Sequence, residues 1–298
     1  MRAGRALKDV FARVLNGIGF GALSRALLWR DRTAILLYHD PDPATMDRHL
    51  AFLKRRCRII SLEEFFAARE SGGSNAGRSA VITIDDGHAG NVKLAEIFRK
   101  HGVKPTIFLC SQIVGTERIY WWQHPEARRR GAEHLKTLAN AERLAVLAEG
   151  GFLQDAPAPD RHALNHDELR ALGAVASLQS HSRFHPILTK CDDAECTNEI
   201  EGSRREIESL SGAQCRDFAY PNGDYGMREI AALKAAGYRS ARTCDIGWND
   251  ARTDLFRLRS LPIADDASDV WFALQLSGFV TYLRYLMGGS VTGRSPQS

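Results

Sequence analysis

Two pairs of side chains that can bind a metal ion follow predicted strands. Asp85 and Asp86 come directly after a run of β-branched residues, and a glycine follows them. Because Asp and Gly also favour turns, an isolated DDG is often no more than a strand-to-loop turn. His181 and His185 follow a second apolar stretch further along the chain. The two pairs together predict a divalent-metal site with one carboxylate left over.

Two histidines and one aspartate form a common ligand set for a catalytic divalent ion, since they leave coordination positions open for water and substrate. A second carboxylate beside the ion can take a proton from that water. The HxxxH spacing is weak evidence alone, because it also occurs on ordinary helix surfaces. Ser182 follows the first histidine, so the helical zinc-protease motif HExxH is excluded. Pro186 disfavours a helical conformation at His185 and indicates a loop.

The composition is that of an ordinary globular protein. With 298 residues, 44% of them hydrophobic, the chain is long enough for one large α/β domain or two smaller ones. The net charge of +4 is small beside 40 basic and 36 acidic residues, and no concentrated basic face is evident, which argues against a nucleic-acid partner. The six cysteines contain no CxxC pair, which favours reduced thiols and a cytosolic setting.

Short apolar runs alternate with segments of helical periodicity along most of the chain. This pattern predicts parallel strands joined by crossover helices, and the number of alternations favours a TIM-like (β/α) barrel over an open sheet. In such barrels the chemistry lies at the carboxyl ends of the strands. The polar residues at those positions are His39, Asp85 with Asp86, Ser111, His181 with His185, Tyr220 with Asn222, and Asp245.

Residues 117–165 interrupt the alternation with two adjacent tryptophans, a basic helical run and a loop rich in Ala and Pro. We interpret this segment as a helical insertion over the strand ends. Its tryptophans could stack on a sugar ring, or they could pack the insertion onto the barrel, and the sequence leaves both alternatives open.

The two ends of the chain extend beyond the predicted barrel domain of residues 31–268. Residues 1–30 outline an amphipathic helix with basic residues opposite its apolar face, which either packs on the domain or lies on a membrane surface. Arginines interrupt its apolar residues, so no secretory signal is apparent, and a cytoplasmic location or a peripheral one at the inner membrane is favoured. Residues 269–287 predict an apolar helix, and residues 288–298 a disordered tail.

Three segments of the sequence resemble the polysaccharide deacetylase family with the NodB-homology domain, which is of the carbohydrate esterase type. They are TIDDG at 83–87, HSRFHP at 181–186 and FAYPNGDYG at 218–226. GVKPTIFL at 102–109 adds support, and ILLYH at 35–39 points to a subgroup with this first-strand motif. The resemblance covers roughly residues 34–265. It implies a distorted (β/α)7 barrel. Members of the family remove N- or O-acetyl groups from amino sugars and glycans.

The same resemblance implies roles for the four residues singled out above. Asp85 would be the general base, while Asp86, His181 and His185 would bind a divalent metal, with zinc the expected ion. The metal would polarise the acetyl carbonyl and hold the attacking water.

The resemblance also implies where the substrate lies. A backbone N–H near Asn222, in the segment Tyr220-Pro221-Asn222, would help to hold the oxyanion. Trp122 in the insertion is a candidate for stacking on the sugar.

The sequence departs from the family pattern in three ways, two of which are substitutions at single positions. His88 stands where an aromatic residue usually follows DDG, and it is either an extra polar contact or a surface residue. Ala219 stands where many members carry an arginine that orients the base, so Arg257 or Arg259 is expected to replace it.

The general acid is the third departure. Many members have a histidine late in the domain, but no histidine follows His185 in this chain. The subgroup with ILLYH supplies it from the first strand, which points to His39. On the alternative interpretation, His39 only forms a hydrogen bond within the loop at the end of the strand.

The expected function is therefore metal-dependent deacetylation of N-acetylated amino sugars, in a polysaccharide or a lipid-linked glycan. An O-acetyl esterase with the same machinery and an inactive carbohydrate-binding barrel are the alternatives. The intact set of two aspartates and two histidines argues against the inactive barrel.

Overall fold

The sheet of this protein is a closed ring of parallel strands in the computed structural model, which describes residues 2–17, 19, 29–71 and 77–278. The strands within these residues are β1 (Thr33–Tyr38), β2 (Arg58–Ile59), β3 (Ser79–Ile84), β4 (Thr106–Leu109), β5 (Ser177–Ser180), β6 (Asp217–Ala219), β7 (Ser240–Ile246) and β8 (Leu258–Pro262). Their order is β1-β8-β7-β6-β5-β4-β3-β2, and β1 also pairs with β3. Seven strands therefore close the ring with β2 outside it, which confirms the predicted distorted (β/α)7 barrel.

The described α-helices alternate with these strands, except for three in the insertion and for the connection between β7 and β8, which contains only a short 3-10 helix. They are α1 (Arg2–Gly17), α2 (Pro43–Lys54), α3 (Leu62–Glu70), α4 (Ala95–His101), α5 (Pro125–Arg130), α6 (Ala132–Leu135), α7 (Asn140–Ala148), α8 (His166–Gly173), α9 (Asp193–Ser211), α10 (Met227–Ala235) and α11 (Asp269–Gln275). Capping boxes at Ser61, Asn165 and Asp192 start α3, α8 and α9. Gly102 and Gly212 end α4 and α9 in the left-handed conformation.

The described chain divides into two compact units. The first comprises the described residues of Met1–Ile84, Lys93–Thr106 and Cys244–Ser298, and the second comprises Asp85–Val92 and Ile107–Thr243. In the first unit, β1 and β3 pair in parallel along their whole length, and every residue of both is buried. Such continuous burial is what a parallel strand covered on both faces requires.

The insertion has a small apolar core of its own within the second unit. Trp121 is buried there, and Trp122 packs partly buried against the same cluster. Packing is therefore one role of these tryptophans. The other members of the core are Ala127, Leu135, Leu147 and Phe152.

The predicted terminal helices are described only in part. α1 packs against α11, and Ser268 before α11 donates a hydrogen bond to Asp9 of α1. The remainder of the predicted helix 1–30, apart from residues 19, 29 and 30, lies outside the described residues. So do residues 279–287 of the predicted apolar helix and the whole predicted tail 288–298. Among the described residues, no helix is both long and apolar enough to cross a membrane.

Candidate functional site

Asp86, His181 and His185 form a buried cluster in the second unit. One ligand atom from each lies within 4.8 Å of the others. The Nε2 atoms of His181 and His185 are 3.6 and 3.7 Å from Oδ1 of Asp86. The structure therefore brings together the three residues that the sequence predicted as metal ligands.

The protonation of these side chains suits a cation. The Nδ1 of His181 is 2.8 Å from the Ala219 carbonyl oxygen, which can only accept, so Nδ1 donates and Nε2 is the nitrogen that faces Asp86. Burial lowers the pKa of His185 to about 3, which leaves its imidazole neutral at neutral pH. Burial opposes ionisation of Asp86, but a hydrogen bond from His88 and the nearby imidazoles outweigh it and hold the Asp86 pKa well below its ordinary value. Neutral imidazoles and an ionised carboxylate are the forms that bind metals.

Two buried polar atoms of this cluster lack hydrogen bonds among the described residues, and one of them indicates that the cluster fits a divalent ion. Oδ1 of Asp86 and Nδ1 of His185 have no hydrogen-bond partner within the described part of the chain. A buried polar atom without a partner costs free energy, and such an atom in a native structure calls for an explanation. An ion held by one carboxylate oxygen and two imidazoles supplies that explanation for Asp86, and the nitrogen and oxygen donors match zinc chemistry.

The backbone at Asp86 is unusual and is held in place. Its φ is +72°, a left-handed conformation that non-glycine residues rarely adopt. The Asp86 carbonyl oxygen accepts hydrogen bonds from the Tyr120 hydroxyl at 3.1 Å and from the Cys110 amide at 3.3 Å. At Gly87, φ is +83° and an added Cβ would lie 2.6 Å from Leu109, so only glycine fits.

The loop that carries both histidines is also held by distant residues. His185 has a φ of +57°, and its carbonyl oxygen accepts a hydrogen bond from the Trp121 indole at 3.0 Å. The amides of Arg183 and Phe184 donate to the buried Glu199 carboxylate at 2.7 and 3.0 Å. Trp121 of the insertion and Glu199 of α9 thus hold the loop, and the HSRFHP motif contains neither residue.

Asp85 lies beside the cluster and is paired with a buried arginine. The Arg242 guanidinium, on β7, donates to Oδ2 of Asp85, and both side chains are almost fully buried. The Nε2 of His181 is 3.7 Å from the same oxygen, whereas Oδ1 has no partner among the described residues. The paired guanidinium holds the Asp85 carboxylate in one orientation, with Oδ1 left on the other side.

The base-orienting arginine was expected to be Arg257 or Arg259, but the arginine in contact with Asp85 is Arg242. Arg257 is instead 3.9 Å from Asp254, and the Arg259 side chain lies against Gly247, all within the first unit. The sequence prediction rests on polar residues that follow a strand, whereas Arg242 lies inside β7. An arginine inside a predicted buried strand was the available signal, because a buried charge needs a buried partner.

Removing the arginine of this pair is expected to destabilise the protein. Arg242→Met would leave the Asp85 carboxylate buried without its partner, which typically costs about 3–5 kcal/mol of the free energy of unfolding. Urea denaturation measures this loss. Arg205→Met is the control, since that side chain is 68% exposed, and a change below about 1 kcal/mol is expected there. An equally small change in Arg242→Met would contradict the pairing.

The predicted substrate segment forms a tight turn after β6. Tyr220 is buried and stacks on Tyr225, with ring centroids 4.9 Å apart. Pro221 is buried, and Asn222 has a φ of +57°, which asparagine tolerates better than most residues. The Ala219 carbonyl just before this turn accepts a hydrogen bond from His181, so the turn is joined directly to the loop that carries both histidines.

Trp122 lies beside the cluster within the second unit. Its ring centroid is 4.5 Å from that of His185, and its side chain is partly exposed. This position is compatible with both alternatives left by the sequence, because the ring packs against the insertion core and also borders His185, a predicted metal ligand.

His39 lies at the end of β1 in the first unit and is exposed. Its amide donates to Oδ1 of Asp265 at 3.0 Å, and the Asp40 amide donates to Oδ2 of the same carboxylate. Asp265 therefore fixes the backbone of this strand end, a role that the sequence did not suggest.

Comparison with known proteins identifies the family. The family model described as "Polysaccharide deacetylase" matches residues 72–241, which is more than half of the chain. No curated protein matches the chain. Several solved structures share the fold.

For two of these structures, the match covers nearly the whole of the solved chain. The Streptococcus pyogenes deacetylase PplD, in complex with acetate, is 18% identical with a TM-score of 0.61, and the match covers 83% of this chain and 98% of that one. IcaB from Ammonifex degensii is 14% identical with a TM-score of 0.61, and the match covers 84% and 99%.

A third similar structure is the BpsB deacetylase domain from Bordetella bronchiseptica. It is 14% identical with a TM-score of 0.55, and the match covers 78% of this chain and 96% of that one. At these identities the likeness concerns the fold, and the family model carries the assignment. This chain belongs to the polysaccharide deacetylase family and is a hydrolase.

Proposed function

We propose that this protein removes N-acetyl groups from amino sugars of a polysaccharide or a lipid-linked glycan, using one bound divalent ion, with zinc expected. The observation that carries the proposal is the buried set of Asp86, His181 and His185 with the Arg242-paired Asp85 beside it. Membership of the polysaccharide deacetylase family supports the substrate class. PplD is described in complex with acetate, the acid that hydrolysis of an acetyl group releases.

In this proposal Asp86, His181 and His185 hold the ion. When bound, the ion polarises the acetyl carbonyl and lowers the pKa of the attacking water. Asp85 takes the proton from that water, and Arg242 keeps the Asp85 carboxylate oriented. Arg242 needs no contact with the substrate for this role.

The turn after β6 is the proposed site for the oxyanion. The Tyr220 amide donates to the Arg242 carbonyl, the Gly223 amide donates to the Tyr220 carbonyl, and proline has no N–H. Within this turn the Asn222 amide is therefore the donor that can meet the developing negative charge. Trp122, beside His185, is proposed to contact the sugar ring.

Acetate release is the direct test of the proposed function. Purified protein is incubated with N-acetylglucosamine oligomers of different linkage, with lipid-linked N-acetylated sugars and with O-acetylated glycans. We expect acetate from an N-acetylated substrate, loss of activity with a chelator, and recovery on adding zinc. Release from O-acetylated glycans alone would favour the esterase, and binding of oligomers without release would favour an inactive carbohydrate-binding barrel.

We also propose His39 as the general acid that protonates the departing amine. An amine leaves an amide only after it gains a proton, and histidine can donate one near neutral pH. Tyr38 pairs with Ile84 at the ends of β1 and β3, and His39 and Asp85 directly follow these two residues in the chain. The family resemblance of the ILLYH motif supports the same role.

His39→Ala is expected to lower kcat/KM on N-acetylated sugars by about 10²-fold. The loss should be much smaller on an activated aryl acetate, because that leaving group departs without a proton. Metal content and circular dichroism should stay unchanged. Equal losses on the two substrates would show that His39 has some other role.

Helix α1 is the proposed contact with a membrane surface, which would bring the enzyme to a lipid-linked substrate in a cytoplasmic or inner-membrane setting. The sequence left packing and membrane contact open. Ala12 is buried, but Val10, Phe11 and Val14 are 56%, 41% and 59% exposed. Exposed apolar side chains on a helix with basic residues are typical of binding to anionic lipid.

Flotation with liposomes measures this contact. We expect the protein to float with vesicles rich in phosphatidylglycerol, and the triple change Val10→Ser, Phe11→Ser and Val14→Ser to abolish this. The double change Leu153→Ser and Met227→Ser is the control, because those side chains are 63% and 71% exposed elsewhere. A triple variant that floats like wild type would contradict the proposal.

A further inference from the structure

His88 makes a direct contact with a proposed metal ligand. Its Nε2 is 3.1 Å from Oδ2 of Asp86, and its side chain is only 14% exposed. A carboxylate that binds a metal is ionised and can only accept hydrogen bonds, so Nε2 of His88 carries the proton and donates. Of the two sequence alternatives for His88, this contact selects the extra polar contact over the surface residue.

The contact makes the two oxygens of Asp86 different. Oδ2 is occupied by His88, whereas Oδ1 faces His181 and His185 at 3.6 and 3.7 Å and has no hydrogen-bond partner among the described residues. A carboxylate can bind a metal through one oxygen or through both. Here one oxygen is already held, so only Oδ1 is presented to the two imidazoles.

The imidazole of His88 is itself held in position. Its ring centroid is 4.9 Å from that of Tyr120, whose hydroxyl donates to the Asp86 carbonyl. The backbone on either side of His88 is bonded to the end of the insertion: the Leu164 amide donates to Gly87 and the Ala89 amide donates to His162. His88 and Tyr120 therefore fix the side chain and the main chain of the same ligand.

We propose that His88 is a positioning residue of the metal centre, which holds Oδ2 of Asp86 so that Asp86 binds the ion through Oδ1 alone. The inference rests on the proposed metal site and adds to it a determinant of affinity and coordination. Hydrogen bonds from the surrounding protein to metal-binding side chains typically change metal affinity by about 10- to 100-fold.

Two substitutions separate the hydrogen bond from the packing of the ring. His88→Phe keeps an aromatic ring against Tyr120 but has no donor. His88→Gln has no ring to pack against Tyr120, but it offers an N–H that can reach Oδ2 of Asp86. His101→Phe is the matched control, because its side chain is 10% exposed and its Nε2 lies 2.7 Å from Asp47 in the first unit.

Zinc affinity is measured for the metal-free full-length proteins by competition with a chromogenic chelator at one fixed pH. We expect the Kd of His88→Phe to rise about 10- to 100-fold, His88→Gln to recover most of the affinity, and His101→Phe to match wild type. The visible absorption of the cobalt-substituted proteins reports coordination directly. We expect His88→Phe to shift towards the weaker bands of a higher coordination number, as both oxygens of Asp86 become available.

The outcomes distinguish this inference from the proposed function. A wild-type protein that binds no zinc would overturn the metal site itself. A wild-type protein that binds zinc, with His88→Phe binding within twofold and with an unchanged cobalt spectrum, would overturn only the role of His88. If His88→Phe and His88→Gln lose zinc affinity equally, and the thermal unfolding temperatures of both metal-free proteins fall equally, the role of His88 is structural alone.

Discussion

Replacing Asp85 with asparagine is expected to lower kcat/KM on an N-acetylated sugar by about 10²- to 10⁴-fold. The amide keeps the shape of the side chain but cannot take a proton from water. Asparagine still offers an oxygen to Arg242, so we expect the variant to fold and to bind one ion per chain. Acetate release, circular dichroism and elemental analysis measure the three properties.

The control for this change is Asp155→Asn, which makes the same substitution at a side chain that is 78% exposed. It should retain full activity. Wild-type turnover by Asp85→Asn would mean that another residue is the base. Loss of the ion together with the activity would mean that Asp85 holds the metal as well.

His181→Ala is expected to remove most of the affinity for zinc. Structural zinc sites with four ligands bind with about 10–16 kcal/mol, so one ligand accounts for roughly 2.5–4 kcal/mol, or on the order of 10²- to 10³-fold in Kd. The substitution also removes the hydrogen bond to the Ala219 carbonyl. Chelator competition gives the Kd, and the activity should fall with the metal content.

His134→Ala is the matched control, since His134 lies in the same unit and is exposed. Its zinc affinity should equal that of wild type. An undiminished metal content in His181→Ala would show that the ion lies elsewhere. The expected loss exceeds that of His88→Phe, because one change deletes a ligand and the other only releases it.

The residues that carry the proposed chemistry could be predicted from the sequence because they lie where strands end. β3 is buried along its whole length and stops at Ile84, directly before the two aspartates, and β5 stops at Ser180, directly before His181. Burial and turn preference are local properties of a segment, so hydrophobic pattern and residue type reveal them. The same pattern predicted a barrel rather than an open sheet.

The contacts that orient these residues could not be predicted in this way. Ser111 follows β4 as expected, yet its hydroxyl donates to Glu206 of α9 rather than to the metal cluster. Glu199 on the same helix looks like an ordinary helical glutamate but accepts two amides of the histidine loop. Such pairings join segments that are far apart in the chain, and no local pattern encodes them.

The hydrogen bonds that hold Asp86 and His185 in their left-handed backbone conformations also bear on how the protein folds. The Tyr120 hydroxyl reaches Asp86 across 34 residues of chain, and the Trp121 indole reaches His185 across 64. Contacts between distant segments form late, because closing the intervening loop costs entropy before the contact stabilises it. We therefore expect tight zinc uptake during refolding, followed with a chromogenic chelator, to lag behind helix formation followed by circular dichroism. Metal capture then reports completion of the native topology, and a fragment with both motifs but without residues 117–165 would lack a competent site.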